Sequence, residues 1–154
     1  MKVANDIIKF IVEANRAGYA NDKPIVKRLE DGGHKIIFAR SGMKSVDYWW
    51  GGNPFSSQES ITKSGKVIWA MQYRGWMEPG FENISSETFA FLRRALKLCN
   101  EKEPLRGPKE HDEGSFKYAN SWGYNLDNFK GEERIWKDGE HIYTCRYFGG
   151  LVNL

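Results

Sequence analysis

Residues 53–76, NPFSSQESITKSGKVIWAMQYRGW, align without a gap with residues 127–150, DNFKGEERIWKDGEHIYTCRYFGG, at a constant offset of 74. Each copy contains a two-residue turn that ends in glycine, Ser64-Gly65 in the first and Asp138-Gly139 in the second. Such turns between β-type segments predict a β-hairpin in each copy. Convergence of two hairpins on a favourable sequence would also produce part of this agreement. An internal repeat is nevertheless the feature from which we predict the fold.

A helix is predicted ahead of the hairpins in each half of the chain. Apolar residues recur at helical spacing within residues 7–14 and again within residues 89–99. We therefore predict an α+β domain that spans residues 1–154. It would consist of two pseudo-repeated units, about 1–78 and 79–154, each a helix plus antiparallel β-hairpins, which share one core.

The turns also predict which side chains share a face. A two-residue turn at Ser64-Gly65 would pair Glu59 with Ala70, and the second copy would behave likewise. This register puts Glu59 on the face opposite to Trp69 and Tyr73. We predict that the face with Trp69 and Tyr73 forms the shared core or the wall of a pocket.

Charge and hydropathy exclude several classes of protein. The 23 basic and 20 acidic residues are interspersed and give a net charge of +3, which argues against nucleic acid as the main partner. No stretch approaches the ~20 consecutive apolar residues of a membrane span, and polar residues interrupt the N-terminal apolar pattern of a would-be signal peptide. We therefore predict a soluble, cytoplasmic protein that has no membrane partner.

Three common nucleotide-binding and hydrolase motifs, and the usual spacings of metal ligands, are absent from the sequence. GxxxxGK[ST], GxGxxG and GxSxG do not occur. His34, His111 and His141 lack the spacing of metal ligands. Cys99 and Cys145 form no CxxC pair and are predicted to be buried free thiols. We predict no metal, no cofactor and no catalytic residue.

Aromatic residues make up 14% of the chain, and three of them precede two glycines in YWWGGNPF, residues 48–55. Aromatic side chains would wall a binding pocket, and the two glutamates that occupy equivalent repeat positions would be its polar anchors. The candidate ligand-binding residues are Trp49, Trp50, Glu59, Trp69, Tyr73, Glu133 and Tyr147. Packing in a core is the alternative role for the aromatic residues, and ion pairing at strand positions is the alternative for the glutamates.

Several segments together resemble an uncharacterised family of bacterial and archaeal domains. These segments are YWWGGNPFSSQE, GKVIWAMQYRG, PLRGPKE and FKGEERIWKDGEHIYTCRYFGG, and the resemblance covers about residues 25–152. Members of that family are standalone proteins or follow an Xre-type helix-turn-helix in transcription regulators. The first 20 residues of this chain contain one predicted helix, so the resemblance implies a sensor or interaction role rather than direct DNA binding.

These observations favour a non-enzymatic module that binds a small molecule or a partner protein in regulation. Two alternatives stay open. One is an enzyme of unrecognised type that uses Glu59 and Glu133 as paired carboxylates. The other is a nucleic-acid-binding protein that stacks bases on its aromatic side chains. A homodimer is compatible with each of these functions.

Overall fold

The chain is mainly β. A computed structural model describes residues 3–152, except for the side chain of Tyr124. Two helices and a short 3-10 turn occur within these residues: α1 Asn5–Ala17, the 3-10 turn Glu82–Ile84 and α2 Ser85–Leu96. The strands are β1 Lys27–Arg28, β2 His34–Arg40, β3 Met43–Gly51, β4 Phe55–Lys63, β5 Lys66–Met77, β6 Glu110–Glu113, β7 Phe116–Asn125, β8 Asn128–Lys137 and β9 Glu140–Leu151.

All nine strands belong to one antiparallel sheet, in the order β1-β2-β3-β4-β5-β9-β8-β7-β6. The two halves of the chain meet where β5 pairs with β9, and Tyr73 lies opposite Tyr147 in that pairing. Both strands are 12 residues long, so this junction is as extensive as the hairpins on either side of it.

The prediction of an α+β domain made of two helix-plus-hairpin units is therefore wrong. The helices have only 13 and 12 residues, whereas a single sheet runs through both halves of the chain. The physical reason lies in the hairpin edges. A hairpin leaves unpaired N–H and C=O groups along its outer strand. Here β5 and β9 satisfy those groups by pairing with each other, so that the two halves form one sheet.

The predicted register of hairpin β4–β5 is also wrong beyond its turn. The register skips Ile68, which forms a β-bulge, and Glu59 lies opposite Met71 instead of Ala70. Because each one-residue shift moves a side chain to the other face of the sheet, Glu59 shares a face with Tyr73. Glu59, which the sequence assigned to the opposite face, thus lies on the face of Trp69 and Tyr73.

Hairpin β8–β9 contains the corresponding irregularity. Its register skips Ile142, and Glu133 lies opposite Cys145. Glu133 and Cys145 are both buried, as is Tyr147 on the same strand as Cys145. The bulges thus place one glutamate of each hairpin on the interior face of the sheet.

The core lies between this interior face and the two helices. Trp69 is fully buried there. Phe10 and Ile11 of α1 and Phe91 and Leu92 of α2 belong to the same apolar cluster as Trp69. The amphipathic helices therefore cover the sheet with their apolar sides, which is what stabilises helices of this length.

Two properties predicted from composition can be compared with the structure. Cys99 and Cys145 are buried free thiols, as predicted, and burial raises the pKa of Cys145 to about 12. None of the helices described within residues 3–152 is long and apolar enough to cross a membrane. The cytoplasmic location stays a prediction.

Candidate functional site

A cavity of about 250 Å³ opens between the interior face of the sheet, the α1–β1 loop and α2. Its aromatic lining comes from all three elements: Tyr19, Trp49, Phe55, Tyr73 and Phe89. Its charged lining consists of Asp47, Arg93 and Arg106. A smaller adjoining cavity of about 40 Å³ shares four of these side chains, Tyr19, Tyr73, Asp47 and Arg106, and reaches Glu59. We call these two spaces together the cleft.

The stretch YWWGGNPF builds one side of the cleft. Gly51 ends β3 with φ of +79°, and a Cβ atom there would overlap the carbonyl oxygen of Pro54. Only glycine fits this position, since it tolerates positive φ and a close backbone approach. The chain then turns back, so that Trp49 on β3 and Phe55 on β4 lie at the same end of the two strands. The indole ring of Trp49 stacks on His34 at 5.0 Å.

Two acidic side chains lie directly opposite each other on the floor of the cleft. Asp47 on β3 pairs with Glu59 on β4, and both line the cleft. The Tyr73 hydroxyl lies 2.8 Å from each carboxylate oxygen of Asp47, and the Ser57 hydroxyl donates to Oδ1 at 2.9 Å. The Ser45 hydroxyl donates to Glu59 Oε1 at 3.0 Å.

Neither of these acids forms a salt bridge with a residue that the structure describes. Burial raises the pKa of Asp47 to about 6, although the hydrogen bonds from Tyr73 and Ser57 act in the opposite direction. Burial, together with the negative charge of Asp47, raises the pKa of Glu59 to about 8. The pair therefore retains a proton at neutral pH, because two adjacent buried carboxylates cannot both ionise without a large cost.

A buried ion pair flanks this acidic pair. Arg106 lies in the α2–β6 loop, and its Nε and Nη2 donate to the two carboxylate oxygens of Glu133 at 3.2 and 2.8 Å. The hydroxyls of Tyr118 and Tyr143 donate to the same carboxylate at 2.6 and 3.0 Å. Burial disfavours the charge of Arg106, but the carboxylate of Glu133 outweighs that effect and the pKa of Arg106 is raised. The ion pair with Glu133 thus keeps Arg106 charged in the interior of the protein.

Arg106 also forms part of the cleft wall. Its guanidinium carbon lies 4.7 Å from the centre of the Tyr73 ring, in a cation–π arrangement. Its backbone has a φ of +68°, in the left-handed region that residues other than glycine rarely adopt. Backbone strain of this kind is concentrated at functional sites. The cleft is thus bounded by a strained, buried arginine on one side and the acidic pair on the other.

Three of the seven candidate residues lie at the cleft. Trp49 and Tyr73 line the larger cavity, and Glu59 and Tyr73 line the smaller one. Trp50, which follows Trp49 on the strand, has its side chain on the other face. It is 39% exposed, and its Nε1 donates to Asp31 at 3.0 Å.

The other three candidate residues lie in the core. Trp69 stacks on Phe129 at 5.5 Å, and the hydroxyl of Tyr147 donates to Asn120 at 2.6 Å. Glu133 binds Arg106, and strands β5 and β9 separate it from the strand that carries Glu59. The structure therefore does not bring Glu59 and Glu133 together as a carboxylate pair.

Sequence reasoning missed Asp47, Arg93 and Arg106. Asp47 alternates with Ser45 and Trp49 along β3, so the strand pattern would reveal it once the inward face of β3 was known. Arg93 is on the polar side of an amphipathic helix, and Arg106 lies in a loop without periodicity. Neither arginine has a sequence signal that distinguishes it from other surface cations.

Comparison with known proteins identifies the family but no activity. The family model DUF5680, described as a domain of unknown function, matches residues 47–152. The chain belongs to the DUF5680 family. The DUF5680 match includes Asp47, Trp49, Tyr73 and both arginines of the cleft, whereas Tyr19 precedes it. The resemblance to an uncharacterised domain family is confirmed at this level. No curated protein and no solved structure matches the chain.

The cleft does not have the composition of a metal site. Among the residues that the structure describes, no group of three or more His, Cys, Asp or Glu side chains is placed to hold a metal ion. The acidic pair offers two carboxylates, and the third buried carboxylate, that of Glu133, is occupied by Arg106 and two tyrosine hydroxyls. The groups that the cleft offers to a ligand are therefore carboxylates, hydroxyls, arginines and aromatic rings.

Proposed function

We propose that this DUF5680 protein binds a small organic molecule in the cleft beside Trp49 and Asp47. The observation that carries the proposal is an aromatic-walled cavity with a carboxylate on its floor that has hydroxyl partners but no salt bridge among the described residues. Binding sites for small molecules combine mainly apolar walls with a few polar groups that fix orientation. The cleft has that composition.

The size of the cavity bears on the ligand. A volume of about 250 Å³ is several times the ~30 Å³ that one water molecule occupies in the liquid. It lies slightly below the ~300–1,000 Å³ of cavities that hold drug-sized ligands. The proposal is therefore for a small molecule of the size of a single substituted aromatic ring.

We further propose that binding serves regulation. This part of the proposal draws on the resemblance to domains that follow an Xre-type helix-turn-helix in transcription regulators of bacteria and archaea. A ligand would act on a DNA-binding partner through differential affinity for two states of the module. The hypothesis of an enzyme that uses Glu59 and Glu133 has lost its geometric support, because two strands lie between the strands that carry them.

Trp49 and Trp50 supply a matched pair of variants for the test. Protein purified from its native host is examined by native mass spectrometry for a retained molecule, and by thermal shift with a library of small aromatic compounds. We expect Trp49→Ala to reduce occupancy or affinity at least tenfold, because an indole wall of the cavity is lost. Trp50→Ala should leave binding unchanged, because Trp50 lies on the other face of the sheet.

Two results would refute the proposal. One is a protein that retains no molecule and does not respond to any compound of the library. The other is binding that both tryptophan variants preserve equally while circular dichroism shows that they are folded.

A further inference from the structure

We infer that the ligand of the cleft carries a protonated nitrogen, which binds the carboxylate of Asp47 while an aromatic or apolar body lies against the walls. This inference rests on the proposed function and names the class of ligand. It follows from the distribution of charge, from the access that the cleft gives to Asp47, and from the nature of the walls.

Acidic side chains outnumber cations in the interior around the cleft. Three acidic side chains, Asp47, Glu59 and Glu133, lie around the buried guanidinium of Arg106. Arg106 is committed to Glu133 through two hydrogen bonds. Asp47 and Glu59 therefore have hydroxyl donors but no cation of their own among the described residues. Burying carboxylates without a cation is costly, and a bound ammonium or amidinium group would remove that cost.

The cleft gives a ligand access to Asp47 rather than to Glu59. Glu59 is only 5% exposed and accepts a hydrogen bond from Ser45, whereas Asp47 is half-buried and lines the larger cavity. Asp47 is thus the acid that a ligand meets, and Glu59 lies beside it across the strand pair. The hydroxyls of Tyr73 and Ser57 hold the Asp47 carboxylate in place. The position of this carboxylate is therefore fixed before a ligand arrives, which reduces the entropy cost of binding.

The walls of the cleft are suited to an organic cation. The aromatic residues Tyr19, Trp49, Phe55 and Phe89 surround the larger cavity, and aromatic faces attract organic cations. Arg93 is exposed, lies over the Tyr19 ring at 5.0 Å, and has no salt-bridge partner among the described residues. Its charge could favour an anion instead. We prefer the cation, because Asp47 and Glu59 beyond Arg93 form no salt bridge with a described residue, and the nearby Arg106, which also favours their charged forms, is bound by Glu133.

Two series of isosteric probes distinguish these ligand classes. Tyramine, 4-propylphenol and 3-(4-hydroxyphenyl)propionate share one ring and differ only in a chain end that is cationic, neutral or anionic. Tryptamine, 3-propylindole and 3-(indol-3-yl)propionate do the same for a larger ring. Isothermal titration calorimetry at pH 7.5 should show that each amine binds at least tenfold more tightly than its neutral and anionic isosteres.

Variants assign the preference to Asp47. Asp47→Asn should abolish the preference for amines, because it removes the charge and keeps the shape of the side chain. Glu59→Gln should retain it, because the charge that the ligand meets is on Asp47. Asp112→Asn, a change at an exposed position of β6, is the matched control and should also retain it.

The outcomes separate this inference from the proposed function. Equal or tighter binding of a neutral or anionic isostere would overturn the inference. If the binding of that isostere is lost in Trp49→Ala, the cavity would still be the binding site and the proposed function would stand. An amine preference that persists in folded Asp47→Asn would overturn the assignment to that carboxylate. If neither amine binds, the inference fails, whereas the proposed function fails only if the retained-molecule and library experiments fail as well.

Discussion

At the scale of single residues, the acidic pair of Asp47 and Glu59 is energetically costly. Asp47 and Glu59 face each other across two paired strands, and like charges in that position destabilise a sheet. Two adjacent serine hydroxyls and one tyrosine hydroxyl offset only part of that cost. A fold that needed only packing would have apolar side chains here, so the pair points to selection for a property other than stability.

Glu59→Gln should change how stability depends on pH. In the folded protein the pKa of Glu59 is raised from 4.5 to about 8, so between these values the folded state binds more protons than the unfolded state. The free energy of unfolding contributed by this group therefore falls as the pH rises through that window. The variant should be more stable than the wild type by on the order of 5 kcal/mol at pH 9, and by about 1 kcal/mol or less at pH 5.

Urea denaturation at the two pH values measures this difference. Glu110→Gln, at an exposed position of β6, is the control and should have nearly the same stability as the wild type at both pH values. A variant at position 59 that is no more stable than the wild type at pH 9 would mean that the carboxylate is not disfavoured by its surroundings.

At the same scale, the sequence predicted the cleft only in part. Trp49 and Tyr73 were found because clustered aromatic residues and a repeat position single them out. Asp47 was not found, because a polar residue in a strand reads as solvent-facing until the inward face of that strand is known. Arg106 was not found either, because it lies in a loop that returns to the core, and the residues of a loop have no periodic pattern that shows which of them are buried.

At the scale of elements, glycines allow neighbouring strands to accommodate large rings. Gly131 on β8 lies opposite Tyr147 on β9, and a Cβ atom at Gly131 would overlap the end of the tyrosine ring. That ring cannot move away easily, because it is buried and its hydroxyl donates to Asn120 at 2.6 Å. The register of hairpin β8–β9 is thus fixed by a glycine that faces a tyrosine.

Gly131→Ala should therefore destabilise the protein by about 1–3 kcal/mol, as expected when a side chain is forced into a packed interior. Gly123→Ala on β7 is the matched control, because a Cβ atom there meets nothing within 4 Å. The control should lie within about 0.5 kcal/mol of the wild type. Thermal denaturation of the three proteins tests this pair, and equal midpoints for both variants would contradict the packing that we describe.

The elements themselves were predicted better than their pairing. Both helices occur in the parts of the chain where the sequence predicts them. The turns at Ser64-Gly65 and Asp138-Gly139 also occur, and each joins two strands. The register failed because turn chemistry defines only the first pairs, and the bulges at Ile68 and Ile142 follow soon after. No residue type in these apolar segments predicts a bulge.

At the scale of the whole molecule, the sheet joins both halves of the chain. The β5–β9 pairing places Tyr73 opposite Tyr147, and the core beneath it includes residues of both helices. The ion pair of Arg106 and Glu133 adds a link from the α2–β6 loop to β8. The parts of the chain that the structure describes are therefore expected to lose their structure together.

We expect a single unfolding transition in calorimetry, with equal calorimetric and van't Hoff enthalpies. The physical reason is that neither half can unfold without exposing the apolar face and the hydrogen-bonding edge of the other. Two resolved transitions would show that the halves behave as separate units, contrary to the continuous sheet.

The architecture was the part that the sequence could not provide. Repeated hairpins with a helix ahead of each are compatible with two α+β units and also with one large sheet. The choice depends on whether the free edges of β5 and β9 pair, and both edge strands are apolar and regular enough for either outcome. Long-range pairing of this kind is a property of the folded chain rather than of a local pattern.

The bulges have a consequence for how this family evolves. Because each bulge sets which side chains of its hairpin face inwards, gain or loss of a single codon in the short strand intervals around Ile68 of β5 or Ile142 of β9 would turn the interior residues of that strand towards solvent. Residues in these intervals can be substituted, whereas the number of residues in them should be conserved. Across divergent lineages, insertions and deletions should therefore accumulate in the loops and be purged from these two short intervals, even where residue identity is lost.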